Sequence, residues 1–195
     1  MAWIDWYVSQ RAIPGGAVSG DAYVVVETRS GVLIGVIDGL GHGPEAACAA
    51  ARAREILLQS PDEALEALFR RCHAALRVTR GAVMSAAFVD RDQGKGSWLG
   101  IGNVEAVVVR AAGGTRPVCQ SLFLWPGVVG QNIRSLRASA LELCKGDALV
   151  FATDGIRGSK FTDFALCAAD ASACGKGCAV PFQRAAFIVK CIRCG

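Results

Sequence analysis

Residues 32–50 read VLIGVIDGLGHGPEAACAA: an apolar run ends at Asp38, turns through Gly39, Gly41 and Gly43, and enters an alanine-rich helix opened by Pro44. Proline suits the first helical turn, where its missing N–H has no partner to lose. Two kinds of site begin this way. The glycines can cradle a nucleotide phosphate on the helix N-terminus, or Asp38 can hold a metal ion at the strand end. A dinucleotide fold requires the helix to lead into a second parallel strand ending in an acid. Here a second helix follows, and the preceding strand is joined to another by a tight turn at Arg29–Ser30–Gly31. The nucleotide reading fails on context.

Working outward, strands are expected over Trp3–Ser9, Ala22–Glu27 and Val32–Ile37, then a helix from Pro44 to about Leu58. The second helix carries Leu65, Leu68, Phe69, Cys72 and Leu76 at helical spacing, and Ser60-Pro61-Asp62-Glu63 before them reads as its capping box. After Gly81 the period becomes that of strands: Ala82–Asp90, Ser97–Ile101, Glu105–Arg110, Gln120–Leu124, Ala138–Leu143 and Ala148–Thr153. A helix near Phe161–Ala173 and a strand Ala185–Ile192 complete the chain. Grouped helices and long antiparallel stretches argue for an α+β layered sandwich of two sheets covered by helices. No repeat or linker divides residues 1–195, so one domain is expected, its part from about residue 165 divergent and cysteine-rich.

Composition narrows the function. The net charge is +4 and the arginines are scattered without interleaved aromatics, which speaks against nucleic acid. The longest apolar runs are strand-length, short of the ~18 residues of a membrane helix. The N-terminus MAWIDWYVSQ has no basic segment followed by an apolar one. Nine cysteines, an odd number, are read as reduced thiols. A cytoplasmic monomer with no membrane or nucleic-acid partner is the expectation.

The metal reading requires carboxylates distant in sequence and able to converge. Hard divalent cations such as Mg²⁺ and Mn²⁺ take oxygen ligands. Three acids sit beside glycine: Asp21 before a strand, and Asp38 and Asp154 each after one. Singly, each is an ordinary turn signal; together and in this order they form a set.

The segments SGDAY (19–23), VIDGLGHGPEAA (36–47), RGAVMSAAFVD (80–90), GIGNVEAVVV (100–109) and ALVFATDGI (148–156) resemble the metal-dependent type 2C (PPM) protein serine/threonine phosphatases. The resemblance spans about residues 15–160 and is nearest to the SpoIIE-type branch with its small RsbX-like stand-alone domains. It implies an αββα sandwich of two antiparallel sheets and a two-metal hydrolase acting on phosphoserine or phosphothreonine. It further implies that Asp38 bridges two Mn²⁺ or Mg²⁺ ions, that Gly39 offers its carbonyl to one and that Asp154 binds the other. Asp21 would hold a water of the ions' hydration. Asp38, Asp21 and Asp154 are thus the candidate catalytic residues and, with Gly39, the candidate metal site. The implied partner is a phosphorylated anti-sigma antagonist of the STAS type or a stressosome protein. The corner glycines are expected to leave room for ion, water and phosphate.

The chain departs from the family before its last strand, where an Asp-Asp-x-Thr-like motif is normal and PFQRAAFIVKCI stands instead, with Gln183 and Arg184 at the acids' positions. One metal site is therefore expected to be weak or absent, and Gln183→Asp to raise Mn²⁺-dependent turnover. Three readings stay open: a slow phosphatase, a pseudophosphatase that binds phosphoprotein without turnover, or an aberrant reading frame at the end of the chain. Cys174-x₃-Cys178 with Cys191-x₂-Cys194 raises structural zinc, against which plain reduced thiols are the simpler reading. His42 is a candidate substrate contact or proton donor, weighed against a loop histidine. Asn103 is read as a turn residue suited to positive φ, and His73 as a surface residue. Trp3, Trp6, Trp98 and Trp125 are read as packing.

Overall fold

The computed structural model describes residues 4–9, 18–111, 118–153, 161, 165–166 and 186–191. The strands are β1 (Ile4–Ser9), β2 (Asp21–Glu27), β3 (Gly31–Gly39), β4 (Ala82–Asp90), β5 (Lys95–Ile101), β6 (Glu105–Val109), β7 (Cys119–Ser121), β8 (Gly127–Val128), β9 (Asn132–Ile133), β10 (Ser139–Glu142), β11 (Ala148–Ala152) and β12 (Ala186–Cys191). The helices are α1 (Pro44–Gln59) and α2 (Leu65–Leu76). Two five-stranded sheets form, in the orders β10-β5-β4-β3-β2 and β1-β12-β11-β6-β7, with β8 and β9 as a separate small hairpin. The pairings within them are antiparallel.

Residue parity along the strands sorts the core into layers, because successive side chains leave a strand on opposite faces. From β3, Val32, Ile34 and Val36 join Phe151, Leu149, Val108 and Trp98 between the sheets. Leu33 and Ile37 leave the other face and pack with Ala49, Ala53 and Leu57 of α1 and Leu68, Phe69 and Leu76 of α2. The second sheet has an outer layer too: Val107, Val109, Val150 and Ala152 pack on Phe161 and Ala165, both in helical backbone. This is the αββα sandwich. Strand β3, beside the central strand β4, is buried through Ile37, both faces covered. Trp98 is only 1% exposed, lies 5.5 Å from Phe151 ring to ring and donates its Nε1–H to the Phe123 carbonyl oxygen at 2.8 Å. It is a packing residue, as expected, whereas Trp6 is 48% exposed.

Several local expectations are overturned. The capping box does not form: α2 begins at Leu65, with Ala64 before it and no side-chain cap. Ser60 and Glu63 instead take the Arg71 guanidinium at 3.0 and 2.6 Å, and Asp62 accepts the Ser30 hydroxyl. A guanidinium one to two turns into the helix outcompetes a backbone N–H for those oxygens, since charged hydrogen bonds are the stronger. Residues 122–124 are not strand; the strand expected there closes at Ser121. At the turn before β6, Gly102 takes the positive φ (92°), so Asn103 does not need it. His73 is half-buried, and its Nδ1 accepts the Gly130 N–H at 3.0 Å, tying α2 to the β8–β9 hairpin. That hairpin escaped sequence reading because two-residue strands carry no periodicity. Trp3, residues 112–117, Gln183, Arg184 and the cysteines at 174, 178 and 194 lie outside the described residues.

Candidate functional site

Asp38 shares its strand face with Val36, Ile34 and Val32, the row that fills the space between the sheets. Asp21 shares its face with Tyr23 and Val25, which pack against the same row. The two aspartates are register partners across β2 and β3, so both leave the sheet toward its inner side at one end of the sandwich. Directly opposed residues of an antiparallel pair have Cβ atoms about 4.5–5.5 Å apart. Both are half-buried. Two like charges so placed are unfavourable unless a cation or proton joins them.

The backbone around them is tightly tied. Gly39 donates its N–H to the Gly20 carbonyl oxygen at 2.9 Å, Leu40 to that of Gly81 at 3.0 Å, and the Asp21 N–H is held by Ser19 Oγ at 3.2 Å. Gly39 departs from expectation in the reason for its being glycine. Its missing Cβ points away from the acids, at the α1 backbone, where an added Cβ would stand 2.0 Å from the Ala46 carbonyl oxygen. The glycine therefore lets α1 seat on β3. Gly41 and Gly43 take φ of 95° and 75°, and exposed His42 stands between them.

Thr153 belongs to the same end. Asp38 pairs with Val83 on β4, and the next residue, Met84, pairs with Ile101 at the end of β5. From there Gly102–Val104 cross to the second sheet, where Glu105 pairs with Ala152 of β11. The buried Ser85 hydroxyl donates to the Val104 carbonyl oxygen at 2.8 Å and pins that crossing. Buried Thr153 follows Ala152 and is the last described residue before Asp154, which lies outside the described residues. Among the described residues no group of three or more His, Cys, Asp or Glu comes together. The structure thus unites Asp21, Asp38 and Gly39 and sets His42 on the adjoining corner.

One neighbour was missed. Arg80, at the start of the RGAVMSAAFVD segment, lies against the corner: a Cβ on Gly41 would meet its Nη1 at 2.9 Å. Its Nε pairs with Glu45 Oε2 at 2.5 Å. Nothing in the sequence signals this, because Gly41 and Arg80 meet only through the β3–β4 pairing.

Two helix-covered antiparallel sheets, with an acid pair at the inner end of one, define the architecture of the PP2C-type phosphatases. The family model described as Stage II sporulation protein E (SpoIIE) matches residues 28–172, and the chain belongs to that family. It is 23% identical over 155 residues to the phosphoserine phosphatase RsbX of Bacillus subtilis (strain 168), covering 78% of this chain and 75% of that one. The crystal structure of RsbX in complex with magnesium superposes with a TM-score of 0.77 at 17% identity, covering 96% of this chain and 94% of the other. A solved structure described under the bacterial stressosome, a modular system adapted to control secondary messenger signaling, gives 0.78 at 28% identity over 96% and 98%.

Proposed function

We propose that this chain is a divalent-metal-dependent protein phosphatase that hydrolyses phosphoserine or phosphothreonine on a bacterial signalling protein. The observation that carries the reading is the in-register pair Asp21–Asp38 on the inner face of the sandwich. Membership of the SpoIIE family and the likeness to a phosphoserine phosphatase support it.

The residues present fit a hard cation. Two carboxylates and the Gly39 carbonyl form an all-oxygen donor set, which suits Mg²⁺ or Mn²⁺ and not zinc or copper. Asp38, Gly39 and Asp154 are the proposed ligands, with Asp21 supporting them. A divalent ion held there supplies charge neutralisation for the phosphoryl oxygens and acidifies a coordinated water. The chain's own part is positional. The ties from Gly39 to Gly20 and from Leu40 to Gly81 hold the two acidic strand ends at fixed separation. Asp21 and Asp38 orient water toward the phosphorus, and exposed His42 on the corner is the proposed contact for the phosphoryl group or the leaving seryl oxygen. The partner is proposed to be an anti-sigma antagonist or stressosome protein, in line with RsbX and the stressosome structure. No helix among the described residues is long and apolar enough to cross a membrane.

The test is Mn²⁺-dependent hydrolysis of p-nitrophenyl phosphate and of a phosphoserine peptide. Turnover that disappears on chelation and in Asp154→Asn supports the reading. Metal binding without turnover at millimolar Mn²⁺ would turn it into a phosphoprotein-binding domain, the reading that Gln183 and Arg184 favour.

A further inference from the structure

Arg80 is built into the edge of the corner in a way that its contribution to folding does not explain. The Leu40 N–H bond to the Gly81 carbonyl fastens the segment beside the metal corner, and Gln131 Nε2 donates to the Arg80 carbonyl oxygen at 2.5 Å from the other side. The guanidinium occupies the space that any side chain at position 41 would need, with Nη1 2.9 Å from where that Cβ would stand. Its ion pair with Glu45 runs through Nε, with the two side chains 55% and 66% exposed. A pair so exposed contributes little to stability. The terminal nitrogens Nη1 and Nη2 make no hydrogen bond to any described residue. A planar fork whose outer N–H groups no described residue takes, held beside an acid corner, suits bidentate recognition of a phosphoryl group.

Resting on the phosphatase reading above, we infer that Arg80 is a substrate-binding residue whose guanidinium takes the phosphoryl group of the phosphorylated protein at the DGLGHG corner. Glu45 is its competitor: the carboxylate neutralises the guanidinium in the free protein and gives it up when the dianion arrives. The two residues therefore act on substrate affinity with opposite signs, although they form one ion pair. A clamp between α1 and β4 would make them act alike.

The experiment compares Arg80→Met, Arg80→Lys and Glu45→Gln with the unaltered chain under Mn²⁺. Substrates are p-nitrophenyl phosphate and phosphoserine peptides with and without flanking acids. Arg80→Met should raise KM about tenfold for every substrate, the loss of one charge-assisted contact, with kcat changing less than threefold. Inhibition by orthophosphate should weaken in parallel. Arg80→Lys should recover part of the loss, and Glu45→Gln should lower KM. Thermal unfolding of Arg80→Met should stay close to that of the unaltered chain. An unchanged KM in Arg80→Met overturns the assignment. So does a joint rise of KM in Arg80→Met and Glu45→Gln with matched losses of stability, or an effect confined to peptides with flanking acids. If the unaltered chain hydrolyses none of these substrates, the phosphatase reading itself fails, an outcome distinct from a silent Arg80 in an active enzyme.

Discussion

Replacing Asp38 by Asn removes one charge and one ligand while keeping the shape of the side chain, so it separates electrostatics from packing. Asp21 and Asp38 are register partners on the inner face. At ~5 Å and an effective dielectric of 20, two carboxylates repel by about 3 kcal/mol. Both are half-buried, so solvent screening reduces the net penalty to about 1 kcal/mol. A cation at 100 times its Kd reverses the balance and stabilises the fold by about 2.7 kcal/mol. For a chain of this length each kcal/mol moves Tm by about 2–4 °C. Saturating Mn²⁺ should therefore raise the Tm of the unaltered protein by about 5–10 °C. In Asp38→Asn, Mn²⁺ should hardly shift the unfolding temperature. Calorimetry with and without chelator reads both effects. A Mn²⁺ shift of undiminished size in Asp38→Asn would refute the site. A large loss of stability in the metal-free variant would show that Asp38 serves the fold and not an ion.

Gly39→Ala places a Cβ 2.0 Å from the Ala46 carbonyl oxygen, so α1 must move by more than an ångström. The cost is about 3 kcal/mol, which denaturant unfolding should report with loss of metal-dependent turnover. Gly43→Ala, with nothing within 4 Å but backbone at φ 75° and ψ −159°, a region essentially reserved for glycine, should lose about 2–3 kcal/mol. His73 supplies a pH signature. Burial, and then the charge of Arg77, hold its pKa below the ordinary 6.5, and protonation also abolishes the Nδ1 acceptor for Gly130. The unfolded chain takes up the proton first. The His73 contribution is therefore complete above about pH 6.5 and is lost as pH falls through the lower folded value. The drop in Tm between pH 7.5 and pH 5 should shrink in His73→Asn, whose amide oxygen can still accept the Gly130 N–H.

Much of the fold was legible because its signals are local. The continuous apolar runs from Val32 and Ala82 must cover both faces of a sheet. The i, i+3, i+4 spacing of Leu65, Leu68, Phe69, Cys72 and Leu76 gives α2 one buried face. Both patterns survive in the structure with ends displaced by a residue or two. The failures were contests between a local signal and a distant partner. Ser60 and Glu63 carry a capping pattern, yet Arg71 takes their oxygens. His73 looks like a surface residue until Gly130 arrives from more than fifty positions away.

At the site, the sequence by itself determined which atoms are on offer: acids beside glycines at strand ends, all hard oxygen donors, in the order Asp21, Asp38, Asp154. That information is chemical identity, and it needs no coordinates. Tertiary structure alone decided that Asp21 and Asp38 face each other on the inner side, that Gly39 is bare for the sake of α1, and that Arg80 leans on the corner. Those relations depend on strand register and helix seating. Register is set by the burial of whole strand faces, because a slip of one residue would turn every core side chain outward.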